Sequence, residues 1–285
     1  MRFARDYGWR AYAIPVLAII TVWVLVDIIH QPADTTPPTA SSVPPAATST
    51  GRDEARPPVP NPADLAFVTE GGQLPAGGPY TEDGRGTYRM VGAPGAEAGA
   101  GRPRTVTYVI EVEEGLNPAH YGGDDGFAAM VDATLTNPKG WTADPEFGFK
   151  HIDNPDKADL RIQLSSVNTT HKSCGANLGM ETSCFTSDGN RVVLNESRWV
   201  RGARPFAGDL GAYRQYLINH EVGHGIGYAQ HVPCGRDGAL APIMMQQTLS
   251  LSNSELNKID PNEIYPDDNA TCSYNAWPYP NGKKE

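Results

Sequence analysis

The sequence predicts an α+β domain in which a mixed β-sheet packs against two helices. Three observations lead to this fold class. Strand-like segments recur between residues 87 and 195, one helical pattern lies among them, and a second helical pattern follows them. The chain after residue 227 is irregular. Because the chain has 285 residues, it has room for one domain of about 200 residues with further segments outside it.

Short runs of alternating or apolar residues predict the strands. They lie at residues 87–91, 105–113, 147–152, 160–164 and 191–195. The segment 125–135 instead repeats its apolar side chains every three or four positions, which predicts a helix. Its inward face carries Phe127, Met130, Val131 and Leu135. Most of the sheet therefore precedes the second helix.

The second helix is predicted to begin after Asp209, which is a favourable N-cap residue. The side chains of its inward face follow one another at spacings of three or four positions: Leu210, Tyr213, Leu217, His220 and His224. Gly227 comes soon after them and can adopt the left-handed conformation that ends a helix. The apolar face of this helix therefore continues directly into two histidines.

The sequence His220-Glu221-Val222-Gly223-His224 predicts a metal site. Residues four positions apart share one helix face, so His220 and His224 can bind the same Zn²⁺ ion. Glu221 lies beside them, where it can accept a proton from a water molecule at the metal. These residue types indicate zinc-assisted hydrolysis. The alternative is a pair of histidines that pack on a buried helix face without a metal.

This segment resembles the signature of the metzincin clan of zinc peptidases, H-E-x-x-H-x-x-G-x-x-H, which is followed by a methionine in a turn below the metal. His220, Glu221, His224 and Gly227 match it position for position. The resemblance implies a zincin-like fold with an irregular C-terminal subdomain, in which Met244 is the turn methionine. Without a metal site nearby, Met244 would be interpreted as a core residue.

The third ligand departs from the metzincin signature. The position that holds histidine in the signature is Gln230 here, and His231 follows one residue later. If the helix continued, His231 would lie about 10 Å along its axis from His224, so the chain must reverse at Gly227 for both to reach one ion. We expect His231 to be the third ligand, through a loop one residue longer than usual. The open alternatives are Gln230, His151, His171 and an acidic side chain.

Three stretches resemble a narrower family of exported actinobacterial domains of unassigned function: RVVLN at 191–195, NHEVGH at 219–224 and APIMMQQT at 241–248. The similarity covers most of the chain after its proline-rich segment and implies a zincin fold with hydrolase chemistry. Metzincins often contribute a tyrosine soon after the turn methionine. Tyr265 and Tyr274 are the next tyrosines downstream, and the sequence does not choose between them.

The N-terminal part of the chain predicts a membrane anchor. Residues 11–29 form an apolar stretch close to the length that spans a bilayer. Arg2, Arg5 and Arg10 precede it, so the positive-inside rule places residues 1–10 in the cytoplasm and the rest of the chain outside. The prediction is therefore a single-pass protein of the cell membrane with an extracellular domain. A cleaved signal peptide is the alternative.

Composition divides the chain after the predicted anchor. Residues 30–62 are rich in Pro, Thr, Ser and Ala, which predicts an extended stalk. The glycine-rich residues 63–103 form either a flexible lead-in, a pro-segment or the first hairpin of the domain. Residues 104–285 are the predicted catalytic domain.

Four cysteines without a C-x-x-C pair predict two disulfides, formed in an oxidising compartment. We expect the pairs Cys174–Cys184 and Cys234–Cys272. The first pair closes a short loop, and the second ties the segment after the metal helix to the C-terminus. The formal net charge of −10 disfavours nucleic acid as a partner.

Together these features predict a membrane-anchored, extracellular zinc hydrolase, and we favour a metalloendopeptidase that acts on a peptide in extended conformation. The strand at 191–195 is either the edge strand along which such a peptide lies or an ordinary core strand. Three other hypotheses stay open: a zinc hydrolase of a non-peptide envelope substrate, an inactive cell-surface binding domain, and a structural zinc site. The sequence does not give the oligomeric state.

Overall fold

A computed structural model describes residues 70–102, 104–175 and 180–282 of the chain. The predicted cytoplasmic N-terminus, transmembrane segment and stalk, residues 1–62, lie outside these ranges. Within the ranges, no helix is both long and apolar enough to cross a membrane.

A seven-stranded mixed sheet forms the centre of the described domain. Its strands are β1 (Tyr88–Met90), β2 (Glu97–Gly99), β3 (Arg104–Glu113), β4 (Phe147–His151), β5 (Leu160–Ser165), β6 (Cys184–Thr186) and β7 (Arg191–Asn195). Their spatial order is β2-β4-β3-β5-β7-β6, and β1 pairs with the C-terminal end of β3. The strands β3, β4, β5 and β7 are parallel, whereas β1, β2 and β6 run antiparallel to their neighbours.

Six α-helices accompany the sheet in the described ranges. They are α1 (Pro118–Tyr121), α2 (Asp124–Leu135), α3 (Val167–Cys174), α4 (Glu196–Arg201), α5 (Leu210–Ile226) and α6 (Asn253–Ile259). The two long helices, α2 and α5, pack against each other and against the sheet. The predicted class, a mixed sheet with two principal helices, therefore agrees with the structure at this level.

Strand β3 lies at the centre of the core because parallel neighbours, β4 and β5, pair with it on both sides. Every residue of β3 from Tyr108 to Glu113 is buried, as expected of a parallel strand that is covered on both faces. On α2, Phe127, Val131 and Leu135 are buried as predicted, whereas Met130 is only half-buried. The sheet and α2 thus form one apolar core.

The segment 70–102 is part of the sheet. Strand β1 pairs with β3, and β2 pairs with β4, so the two short strands do not pair with each other. The alternative of a first hairpin was therefore wrong. Each short strand instead pairs with a longer strand of the larger sheet. Such pairing stabilises a three-residue strand more than an isolated two-stranded hairpin would.

Strand β7 is internal, between β5 and β6. Of the two interpretations of residues 191–195, the core strand is therefore correct, and Val192, Val193 and Leu194 are fully buried. The edge position on this side of the sheet belongs to β6, which has three residues. The sequence did not predict β6, because a strand of this length shows no periodicity.

Both predicted disulfides are present, Cys174–Cys184 and Cys234–Cys272. The first joins the end of α3 to the edge strand β6. The second closes the irregular C-terminal part, which has a small core of its own. The buried apolar residues of this second core include Ala241, Met245, Leu249, Leu256 and Tyr265.

Arg198 of α4 is fully buried and connects the start of the described chain to the domain. Its guanidinium donates to the backbone carbonyls of Gly72 at 2.6 Å, Glu181 at 2.7 Å and Gly202 at 3.3 Å, with a longer bond to Gln73 at 3.5 Å. Burial lowers the pKa of this group below its ordinary value, and the carbonyl dipoles replace the water that the charge has lost.

Replacing Arg198 with methionine should destabilise the domain, because several buried carbonyls then lose their donor. We expect the free energy of unfolding to fall by about 3 kcal/mol or more, measured by urea denaturation of the purified full-length chain. Arg204→Met is the matched control, because Arg204 makes an exposed ion pair with Glu70. The control should cost about 1 kcal/mol or less. Equal losses in the two variants would contradict this role of Arg198.

Candidate metal centre

Helix α5 carries His220, Glu221 and His224 in its C-terminal half. Asp209 caps the start of the helix, since its carboxylate accepts a hydrogen bond from the backbone N–H three positions on, at 2.9 Å. Gly227 ends the helix with a φ of 118°, a left-handed conformation that favours glycine. The helix therefore ends at the residue that the sequence indicated.

The chain reverses after Gly227 and brings His231 back to the helix. One nitrogen from each of His220, His224 and His231 lies within 4.8 Å of the other two. The centroids of the three rings are 4.9 to 5.4 Å apart. The structure thus brings together the three histidines that the sequence singled out.

Each of the three rings is held through its Nδ1 atom. The Nδ1 atoms of His220 and His224 lie 2.9 Å from the backbone carbonyls of Ile243 and Tyr228, which can only accept. The Nδ1 of His231 lies 3.3 Å from a carboxylate oxygen of Glu263. When Nδ1 donates, Nε2 carries the lone pair that can bind a metal.

The histidine cluster fits a zinc ion. In the described part of the molecule, the Nε2 atom of His220 is buried without any hydrogen-bond partner, as expected of an atom reserved for another ligand. Burial lowers the pKa of both His220 and His224, which favours the neutral rings that bind metals. Zinc bonds of about 2.0 to 2.1 Å require nitrogens about 3.3 Å apart in a tetrahedron, so the three nitrogens, which lie within 4.8 Å of one another here, would approach further around the ion.

Glu221 lies next to the histidine cluster and is buried. Burial raises the pKa of its carboxyl to about 8, and a hydrogen bond with the backbone of Phe185 in β6 offsets part of that rise. A cleft of about 370 Å³ opens here. It is lined by Ser183, Cys184, Phe185, His220, Glu221, His224, Ala229, His231 and Gln246. The carboxyl and the three rings therefore face the same open space.

Met244 lies beneath the helix at Gly223. The side chain is 3% exposed, and its sulfur would be 2.5 Å from a Cβ atom added at Gly223. Trp141 lies against the same glycine, with a ring carbon 2.8 Å from that added atom. Because the preceding residue, Ile243, accepts the hydrogen bond from His220, this segment supports the histidine from below.

The alternative ligands lie elsewhere. Gln230 is exposed to solvent. His151 is buried on β4, where it stacks on Tyr108 and lies 3.1 Å from Asp132. His171, near the end of α3, pairs with Glu181, also at 3.1 Å. None of the three belongs to the histidine cluster of the described chain.

The two downstream tyrosines differ in position. The hydroxyl of Tyr274 lies 3.4 Å from Asp209, at the far end of α5. The ring centroid of Tyr265 is 6.2 Å from that of His231, and its hydroxyl accepts a hydrogen bond from the backbone N–H of Gln246 at 2.8 Å. Tyr265 is therefore the one beside the candidate site.

Sequence reasoning did not find two residues that contact the site, Phe185 and Glu263. Each lies on a segment at least 30 residues away from its partner in the helix or in the loop after it, and neither belongs to a recognisable motif. The cysteine before Phe185 was the only signal for the first. The sequence carried no signal for the second.

Comparison with models of protein families finds a match to this chain. A family model described as "Protein of unknown function (DUF3152)" matches residues 74–280. The match covers well over half of the chain and includes the whole sheet and the three histidines. No curated protein and no solved structure matches the chain.

Gly223→Ala should strain the support of the site, because the added methyl group would overlap Met244 and Trp141. We expect a loss of about 1 to 3 kcal/mol in the free energy of unfolding, measured by thermal and urea denaturation. Gly211→Ala is the control in the same helix, since the nearest atom to its added Cβ is 3.6 Å away. The control should be neutral or stabilise by up to about 1 kcal/mol. A destabilisation of similar size in the control would argue against this explanation.

Proposed function

The chain belongs to the DUF3152 family, and we propose that it is a zinc-dependent metalloendopeptidase that is anchored in the cell membrane and acts outside the cell. One observation carries the proposal. Three imidazole rings converge at an open cleft, and a buried glutamate that is not among them lies in the same cleft. Structural zinc sites are closed and favour cysteine ligands, whereas catalytic sites leave one position open.

His220, His224 and His231 would hold the zinc ion through Nε2. When bound, zinc is a Lewis acid that polarises a substrate carbonyl and lowers the pKa of water at the site. Neutral histidine ligands leave the ion its full positive charge, which favours this chemistry. The carbonyls of Ile243 and Tyr228 hold two of these rings in the required tautomer.

Glu221 is the general base of the proposed reaction. Its carboxylate takes a proton from the attacking water and passes it to the leaving amine as the peptide bond breaks. The buried environment raises the pKa of Glu221, which makes its ionised carboxylate a stronger base. A zinc ion bound nearby would lower the pKa of Glu221 and so favour the ionised form that acts as a base.

Met244 supports a finer assignment of the fold as zincin-like. Met244 lies below α5, and the carbonyl of the preceding residue, Ile243, accepts from His220. The resemblance to the metzincin turn implies a methionine in this position. The irregular C-terminal part that follows, with its own small core, agrees with the subdomain expected after the metal helix.

Strand β6 is the segment along which we place an extended peptide. It is the antiparallel strand at the edge of the sheet next to the candidate site, and its residue Phe185 contacts Glu221. A substrate segment that adds to such an edge gains backbone hydrogen bonds and places a peptide bond near the base. Strand β6 thus has the role that one of the two interpretations gave to residues 191–195.

The location outside the cell rests on two features. The two disulfides need an oxidising compartment. The apolar stretch at residues 11–29 and the three arginines before it predict a membrane anchor in the orientation that exports the domain.

Glu221→Gln should retain zinc and lose hydrolysis, because glutamine keeps the shape of the side chain but cannot accept the proton. We expect turnover to fall by about 10²- to 10⁴-fold. The measurement is digestion of a broad peptide library by the full-length protein, with mass spectrometry of the products and metal analysis of each variant. Loss of zinc in Glu221→Gln would contradict its role as base. A parent that binds zinc and cleaves no peptide would contradict the peptidase and favour a non-peptide substrate or a binding domain.

His231→Ala should weaken zinc binding strongly, because it removes one of three ligands. Gln230→Ala, one position earlier, is the matched control and should leave zinc affinity within about twofold of the parent, since Gln230 is exposed. Competition with a chelator of known affinity measures both. If the two variants bind equally well, or if Gln230→Ala is the weaker, the ligand assignment is wrong.

A further inference from the structure

The third histidine is held differently from the other two. His220 and His224 donate to backbone carbonyls, whereas His231 donates to the side chain of Glu263 at 3.3 Å. Backbone carbonyls close to α5 are fixed by the helix and the segment below it. Glu263, by contrast, is a side-chain acceptor from a distant segment of the chain. It holds His231, the ligand whose position departs from the metzincin spacing.

The loop that carries His231 is tied to the domain through its backbone and through Tyr228, contacts that do not involve the ring of His231. Residues 227–230 are exposed, although the ring of Tyr228 stacks on Trp141. Next to His231, the backbone N–H of Val232 donates to the carbonyl of Met244 at 3.0 Å. That bond fixes the backbone next to His231. It does not fix the rotation of the ring, which decides where Nε2 points.

The segment that carries Glu263 is itself well held. The backbone N–H of Glu263 donates to the carbonyl of Asp260 at 3.2 Å, in the turn after α6. Two residues on, Tyr265 is buried, its carbonyl accepts from Asn257 at 2.8 Å, and its ring lies alongside that of His231. Glu263 and the Tyr265 ring therefore contact His231 from one anchored segment.

We propose that Glu263 is a positioning residue that holds His231 with its Nε2 toward the metal. The proposal rests on the proposed function. A carboxylate at Nδ1 requires the proton to be on that nitrogen, so the lone pair is on Nε2, and it makes the ring a stronger ligand. Its negative charge also attracts a divalent cation, although 39% exposure of the side chain weakens that attraction. Glu263 thus compensates for the longer loop before His231.

The test is the zinc affinity of the full-length protein, measured by competition with a chelator. Glu263→Ala should raise the Kd about 10- to 100-fold. Glu263→Gln should raise it less, because its amide oxygen still accepts from His231. Asp267→Asn is the matched control, since it removes an exposed carboxylate four residues away, and its Kd should stay within about twofold of the parent.

A second readout separates positioning from folding. Co²⁺ in place of zinc reports the ligand geometry by its visible absorption, and the tetrahedral band should weaken in Glu263→Ala and recover in part in Glu263→Gln, while the urea midpoints of all variants agree. Unchanged zinc affinity and an unchanged Co²⁺ spectrum in Glu263→Ala would overturn the proposal. A parent that binds no zinc would contradict the proposed function and this inference with it, so the two failures are distinguishable.

Discussion

The burial of helix α5 is the constraint on which the candidate site depends. The helix lies between the sheet, α2 and the C-terminal part of the chain, so its ligand residues cannot shift independently of the core. Polar side chains fix it further. Asn219 donates to the carbonyl of Ala276, while its own carbonyl accepts from Trp141, both at 2.9 Å. A metal site needs ligands held to within a fraction of an ångström, and a buried helix supplies that rigidity.

The irregular C-terminal part is held by amide side chains in place of regular structure. Gln247 donates to the carbonyls of Pro242 and Asn275, and it accepts from the backbone of Asn275. Buried segments without strands or helices must satisfy their backbone groups in this way. As a result, the segment with Met244 and the last described residues form one connected layer below α5.

The sequence predicted the parts of the fold that depend on local patterns. Five strand positions and both long helices agree with the structure, as does the end of α5 at Gly227, because periodicity and helix ends are properties of neighbouring residues. Strands β2 and β6 and the contacts of Glu263 and Phe185 were not predictable. They arise from pairing between distant segments, which leaves no pattern in a single sequence. His231 lies between these cases: its residue type and the glycine before it were informative, but its convergence with the helix depends on the path of the loop.

The anchoring of the first described residues by Arg198 affects where the domain begins. The family match starts at residue 74, yet two carbonyls that surround the buried guanidinium belong to Gly72 and Gln73. A chain trimmed to the limits of sequence similarity would keep the arginine and lose those acceptors. The buried guanidinium of Arg198 would then lack some of its hydrogen-bond acceptors, at a cost of several kcal/mol. Among the described residues, the domain therefore extends beyond the matched region, and part of that extension solvates one buried charge.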